Sequence, residues 1–191
     1  VCGPGNNGGD GILIANYLLK KKELVHVDYP IKYPNKKDSK KAFSLFSNKK
    51  LVVSNPKYND YDIIIDAILG IGIKRKLNSN LKKIILKINN SKTKIISIDM
   101  PSGVSVDDGQ VENLAVKADI TLTFHRYKIG QWILPGKEYC GKIVLIDIGL
   151  FNLDKDCNIR LNHPAKLNKP KLTDHKFSRG NCLIISGKNL I

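Results

Sequence analysis

Short, almost purely apolar runs recur along the sequence, separated by segments with helical periodicity. Such runs lie at residues 62–66 (DIIID), 94–99 (KIISID), 119–124 and 142–147. A strand that is apolar throughout is covered on both faces, which is typical of parallel sheets packed between helices. We therefore predict an α/β fold with a mostly parallel sheet and helices on both of its faces.

Helices and shorter strands complete this prediction. Apolar residues recur at helical spacing at 11–22 and 78–90, and a third helix with a basic outer face is predicted at 38–48. Two more strands are predicted at 24–29 and 51–54. Val1–Cys2 has the character of a strand end without the strand's beginning, so we expect the chain to be a fragment.

The alternation of strands and helices stops near residue 152. Residues 153–172 are polar, rich in Asn and Lys, and contain two prolines, a composition typical of a linker. A new strand is predicted at 181–186. The sequence therefore predicts one domain over 1–152, a linker over 153–172 and the start of a second, truncated domain over 173–191.

The net charge of +15 invites a nucleic-acid or membrane-surface function. However, 28 of the 32 basic residues are Lys, and Arg is the residue suited to bidentate phosphate and base contacts. Lys, Ile and Asn make up 71 of the 191 residues, which is the bias of an AT-rich coding sequence. The longest near-apolar run, 63–73, is too short to span a bilayer. We predict neither a specific nucleic-acid partner nor a membrane partner.

The four cysteines, at positions 2, 140, 157 and 182, form no CxxC pair and have no His at ligand spacing. This pattern favours four reduced thiols in a cytoplasmic protein and disfavours a zinc site.

The segment Gly3–Gly11, GPGNNGGDG, lies between a strand end and a helix. Glycines allow close approach of the backbone to a ligand, and a helix N-terminus offers free N–H groups to a phosphate. Its spacing differs from both GxGxxG and the Walker sequence. We interpret it as a ligand-binding loop.

Carboxylates end two of the predicted buried strands. Asp66 precedes a second Gly-rich segment with basic residues, and Asp99 precedes a Pro-Ser-Gly turn. The carboxyl ends of parallel strands share one edge of a sheet, so both should lie near Asn6, Asn7 and Asp10. Such a cluster suits a hard cation or a polar substrate, and it favours raised carboxylate pKa values. Lys128, after the strand at 119–124, is a weaker candidate in so lysine-rich a chain.

Four motifs in this order resemble the YjeF N-terminal domain family of NAD(P)H-hydrate epimerases: GPGNNGGDG, DAILGIGIKR, SIDMPSGVSVDDG and ADITLTFHRYKIG followed by IDIGL. The resemblance covers about residues 1–150 and implies a three-layer α/β/α, Rossmann-like fold. The tail KLTDHKFSRGNCLIISG resembles the opening of the ADP/ATP-dependent NAD(P)H-hydrate dehydratase domain, which has a ribokinase-like fold. Since that part stops near residue 191, we expect no dehydratase activity from this chain.

The resemblance implies the substrate NADHX or NADPHX, whose R and S forms at C6 of the nicotinamide ring would be interconverted. It implies that Asp99 is catalytic and that a potassium ion is held by Asn7, Asp66, Ser102 and backbone carbonyls. The resemblance is compatible with a homodimer but does not decide the oligomeric state. The implied substrate contacts, besides Asp99, are Asn6, Asn7, Gly8, Gly9, Asp10, Gly70, Ile71, Gly72, Ile73, Lys74, Arg75 and Lys76. The family's GTG is here Gly70-Ile71-Gly72, which loses a hydroxyl.

Two alternatives remain beside the epimerase. A non-catalytic binding or scaffold module of the same fold would have no need for Asp10, Asp66 and Asp99 together. A nicotinamide-dependent dehydrogenase could use Asp28 for a ribose, but the glycine spacing disfavours it. For the epimerase, water loss through a ring iminium and ring opening are both open routes.

Overall fold

A computed structural model of the protein describes residues 1–31, 33–70, 77–151, 159–162, 169, 171–175, 177–178, 181 and 183. The chain divides into two units, Val1–Phe151 and Asn152–Ile191. In the second unit, two tight turns are described, closed by Asp174 N–H on Lys171 O and Ser178 N–H on His175 O, both at 3.0 Å. The predicted strand at 181–186 lies outside the described residues, apart from 181 and 183.

Every strand pairing in the first unit is parallel. The strands are β1 (Val27–Asp28), β2 (Val52–Val53), β3 (Ile63–Asp66), β4 (Lys94–Ile98), β5 (Ile120–Phe124) and β6 (Lys142–Ile146). β1 pairs with β2, and β3 to β6 form a four-stranded sheet in chain order. The opening residues join the two sheets, since Cys2 N–H donates to Asp28 O at 2.8 Å and Ala67 N–H to Val1 O at 2.9 Å. The predicted α/β fold with a parallel sheet is confirmed.

Helices cover the sheet. They are α1 (Asn6–Lys20), α2 (Lys37–Ser44), α3 (Ser79–Asn89) and the single turn α4 (Lys137–Cys140), with 3₁₀ turns at Lys49–Leu51, Tyr58–Asp60 and Ile129–Gln131. One apolar cluster packs α3 against β3 and β4, and a second packs α1 and α2 against the sheet. Among the described helices, none is both long and apolar enough to cross a membrane.

The start of α1 differs from the sequence prediction. The helix begins at Asn6 and not at Gly11, so most of the predicted loop is helical. The glycines make this possible, because a Cβ at Gly8 would lie 1.8 Å from the carbonyl oxygen of Gly3. The strands predicted at 24–29 and 51–54 are only two residues long in the structure. The second is shorter than predicted at its start because residues 49–51 form a 3₁₀ turn.

Candidate active site

Asp66 ends β3 and is completely buried at the carboxyl edge of the sheet. Its Oδ1 accepts hydrogen bonds from Ser102 Oγ at 2.6 Å and Ile68 N–H at 3.2 Å. Its Oδ2 accepts from Ser97 Oγ at 2.8 Å and Ser102 N–H at 2.9 Å. Burial raises the pKa of Asp66, and these four donors oppose that shift. The carboxylate thus ties the ends of β3 and β4 to the turn at Ser102.

Asn7 and Ser102 meet next to Asp66, at the carbonyl of Leu69. Asn7 Nδ2 donates to Leu69 O at 3.1 Å, and Leu69 N–H donates to Ser102 Oγ at 2.9 Å. The predicted convergence of Asn7, Asp66 and Ser102 is therefore present. All their acceptor atoms are oxygens, the ligand type that a hard cation prefers. Within the described part of the chain, no group of three or more His, Cys, Asp or Glu could hold a metal ion.

Asp99 follows β4 with a φ of 66°, in the left-handed region that non-glycine residues rarely adopt. Its Oδ1 accepts a hydrogen bond from the ammonium of Lys128 and, at 3.4 Å each, from Thr123 Oγ1 and Phe124 N–H. Lys128 Nζ also donates to Thr123 Oγ1 at 2.9 Å and Phe124 O at 3.0 Å. Lys128, which the sequence made only a weak candidate, therefore forms an ion pair with Asp99. Each side chain of the pair is 15% exposed.

The Gly-rich segment contributes to this edge in two different ways. Asn6 and Asp10 are exposed, whereas Gly8 and Gly9 are buried against Gly3 and Ser39. Much of the Asp10 side chain is exposed, but its carboxyl group is partly shielded from water. This shielding and the nearby charge of Asp99 raise the pKa of Asp10. The N-cap Gly5 supplies no side-chain hydrogen bond, so the first N–H groups of α1 remain for a ligand.

Of the second Gly-rich segment, Gly70 lies against Asn7, since a Cβ at Gly70 would lie 3.0 Å from Asn7 Cβ. The remaining predicted contacts of this segment, Ile71, Gly72, Ile73, Lys74, Arg75 and Lys76, lie outside the described residues.

Sequence reasoning missed three polar residues around the carboxylates: Ser97, Thr123 and Gln131. All three are fully buried. Ser97 and Thr123 are polar residues within predicted strands, and that interruption was the available signal. Gln131 lies beyond β5, in the 3₁₀ turn Ile129–Gln131, and had no such signal. The partners of all three include residues of other segments, so the sequence alone could not assign them.

Asp28, the acidic residue that a dehydrogenase would use, is not available to a ribose. It is 5% exposed, and its Oδ2 accepts the hydroxyl of Tyr58 at 2.9 Å. Burial raises the pKa of Asp28, and the Tyr58 hydrogen bond opposes the shift. Asp28 is part of the core.

The fold and this edge define the class of the domain: an α/β domain with a parallel sheet, a glycine-rich helix start and a carboxylate–ammonium pair at the strand ends. The family model described as YjeF-related protein N-terminus matches residues 1–130. The chain belongs to this family.

Curated relatives and a solved structure agree with that assignment. The chain is 35% identical over 155 residues to the NAD(P)H-hydrate epimerase of Oenococcus oeni, covering 79% of this chain and 73% of the relative. It is 35% identical over 204 residues to the bifunctional NAD(P)H-hydrate repair enzyme Nnr of Dictyoglomus turgidum, covering 98% of this chain but only 39% of that protein. The crystal structure of yeast ynu0, YNL200c, aligns with a TM-score of 0.61 at 23% identity, over 79% of this chain and 65% of that chain, and supports the fold.

Proposed function

We propose that this domain is an NAD(P)H-hydrate epimerase, which interconverts the R and S forms of NADHX and NADPHX at C6 of the nicotinamide ring. The repair of damaged nicotinamide cofactor would be its role. Relatives named NAD(P)H-hydrate epimerase match about four fifths of the chain, which favours the enzyme over a scaffold module. The observation that carries the proposal is the Asp99–Lys128 ion pair at the carboxyl edge of the sheet.

Epimerisation at C6 requires a proton to move at the C6 hydroxyl. If water is lost, the hydroxyl oxygen takes a proton and leaves with the C–O electron pair, and the ring nitrogen forms an iminium. Water then adds to the other face and returns the proton. If the ring opens, the hydroxyl gives up its proton as its O–H electrons form the C6 carbonyl, while N1 takes the electron pair of the C6–N1 bond and a proton. On closure N1 loses that proton and attacks the other face of the carbonyl, whose oxygen is protonated again.

Both routes need one group that exchanges a proton with the C6 hydroxyl: in water loss it gives the proton first and recovers it, and in ring opening it takes the proton first and returns it. We assign that role to Asp99. The ammonium of Lys128, the Thr123 hydroxyl and the Phe124 N–H all donate to Asp99 Oδ1 and orient its carboxyl group. A positioned acid–base group contributes about 10²–10⁴-fold to such a step.

The dinucleotide part of the substrate would bind along the Gly-rich edge. The free N–H groups at the start of α1 and its positive dipole end suit a pyrophosphate. Asn6 and Asp10 are the exposed side chains of this segment and would contact the substrate. Gly8 would contribute by letting the helix start lie close to Gly3, and Gly9 by letting it lie against Ser39 of α2.

Asn7, Asp66 and Ser102, with the Leu69 carbonyl, would hold a potassium ion. Their oxygen-only set fits a hard cation, although the four donors on Asp66 occupy its lone pairs until the Ser102 hydroxyl turns. A bound potassium ion would balance the buried charge of Asp66 and stiffen the strand ends. A crystal soaked in thallium should give an anomalous peak among these residues, and Asp66→Ala should remove the peak. Ordered water without a peak would contradict the site.

The cytoplasm is the compartment we propose, because Cys2 and Cys140 are buried free thiols in the described part of the chain.

The proposal is tested by incubating the purified chain with a single epimer of NADHX and following both epimers by chromatography. We expect the mixture to equilibrate well above the spontaneous rate, with no formation of NADH. Binding of NADHX without any acceleration would instead favour the scaffold alternative.

A further inference from the structure

Gln131 is a fully buried amide directly beside the ion pair. It ends the 3₁₀ turn Ile129–Gln131, which follows β5, and none of its surface is exposed. Glutamine is mostly found at protein surfaces, and a buried amide has to satisfy both an acceptor and its donors. A leucine-sized apolar residue would fill this space without that requirement.

The two ends of the Gln131 amide bind the backbones of the two site residues. Its Nε2 donates to the carbonyl oxygen of Asp99 at 2.8 Å, and its Oε1 accepts from the backbone N–H of Lys128 at 2.9 Å. A carbonyl can only accept and an N–H can only donate, so these two partners fix which way the amide faces. One side chain therefore joins the turn after β4 to the turn after β5.

The backbone of Asp99 needs such support, because its φ of 66° is a conformation that surrounding contacts must maintain. On the other side, the Asp99 N–H donates to Leu122 O at 2.7 Å, which ties it to β5. Without Gln131, the carbonyl of Asp99 and the N–H of Lys128 would lose their partners together. The ion pair between the side chains would remain but could change its position.

We propose that Gln131 is a positioning residue: it holds the turns of Asp99 and Lys128 in register, so that their ion pair meets the C6 hydroxyl of the substrate. This inference rests on the proposed epimerase function. Gln131 itself acts only through the two residues that it joins.

Gln131→Met is the direct test, because methionine has similar length and no hydrogen-bonding amide. We expect kcat to fall by about tenfold or more while KM changes less than about threefold, since misplaced reacting groups affect the chemical step most. Thr121→Val is the matched control. Thr121 is fully buried in β5 and donates to Cys140 O at 2.7 Å, so the variant loses a buried hydrogen bond away from the ion pair. Its kcat should stay within about twofold of wild type.

A double-mutant cycle separates positioning from a general loss of stability. In a Lys128→Met background, Gln131→Met should lower kcat by a smaller factor than in wild type, because the ion pair is already broken and only the support of Asp99 is left to lose. Additive effects, or a Gln131→Met variant that behaves like Thr121→Val, would overturn the inference.

Two further variants keep the test decisive. If Gln131→Met does not fold, Gln131→Glu keeps the acceptor for Lys128 N–H but has no donor for Asp99 O when ionised, so its kcat should also fall. A folded Gln131→Glu variant with wild-type kcat would overturn the role of Gln131. A wild-type rate in Lys128→Met alone would instead overturn the assignment of the ion pair under the proposed function.

Discussion

Replacing Asp66 by Asn would test how the carboxyl edge of the sheet is held together. One backbone N–H donates to each carboxylate oxygen, Ile68 N–H to Oδ1 and Ser102 N–H to Oδ2. An amide has only one oxygen, so in either orientation its NH₂ group faces a backbone N–H that cannot turn away. The hydroxyls of Ser97 and Ser102 can rotate, but the backbone N–H groups of Ile68 and Ser102 cannot.

The size of the effect follows from these contacts. Hydrogen bonds to a charged group contribute about 1.5–3 kcal/mol each, and an unsatisfied buried donor costs about 1–3 kcal/mol. The variant leaves one backbone N–H without an acceptor and weakens the other three bonds, because their partner is now neutral; removal of the buried charge offsets part of that loss. We expect a net destabilisation of about 3 kcal/mol, measured as the free energy of unfolding in urea.

Two controls frame this measurement. Ser97→Ala removes one hydroxyl donor and leaves both backbone donors paired, so it should cost less, about 1.5 kcal/mol. Asp107→Asn makes the same chemical change on an exposed residue and should stay within about 0.5 kcal/mol of wild type. If Asp66→Asn were as stable as Asp107→Asn, the four-donor arrangement could not be what holds the strand ends.

Three further predictions concern the fold and its surface. Gly8→Ala should lower the free energy of unfolding by about 3 kcal/mol or more, because a Cβ at this position would lie 1.8 Å from Gly3 O. Gly5→Ala, whose Cβ would have nothing within 4 Å, should be tolerated, and thermal melts of both variants would check this. Tyr58→Phe removes the donor to buried Asp28 and should cost about 1–3 kcal/mol. Burial raises the pKa of Asp28, so the contribution of this residue to stability is present below pH 3.8 and lost as pH rises through the raised value. The Tyr58 hydrogen bond opposes that shift by favouring the ionised carboxylate, so the cost of Tyr58→Phe should be larger at pH 7 than at pH 4 in urea unfolding. Duplex DNA or RNA should bind no more tightly than about 10⁻⁶ M at physiological salt in fluorescence titrations, and sequence-selective nanomolar binding would contradict this.

The sequence was sufficient for the parallel sheet and for its carboxyl edge. Strands β3 to β6 agree with their predicted positions to within one residue at each end. An almost purely apolar run between polar segments leaves little choice of where a strand begins and ends. That Asn7 and Asp66 lie at one edge followed from one rule, that parallel strands end at the same edge, whereas Ser102 was added by the family resemblance.

What the sequence could not show depends on contacts between distant segments. The start of α1 at Asn6 requires knowing that Gly8 packs against the carbonyl of Gly3. Lys128 was one of many lysines, and only the turn after β5 brings it to Asp99. Gln131 carried even less signal, because its partners are backbone atoms, which have no signature in the sequence.

The most direct measurement of the central claim is the rate of epimerisation by Asp99→Asn. Asparagine keeps the size of the side chain and removes its ability to take and return a proton, so the rate should fall by about 10² or more. Binding of the cofactor should change little, which isothermal titration with NADPH would check. Chiral chromatography of NADHX epimers would compare Asp99→Asn with wild type and with Asp107→Asn, which should retain the wild-type rate. A rate for Asp99→Asn equal to that of wild type would remove Asp99 from the mechanism and contradict the account.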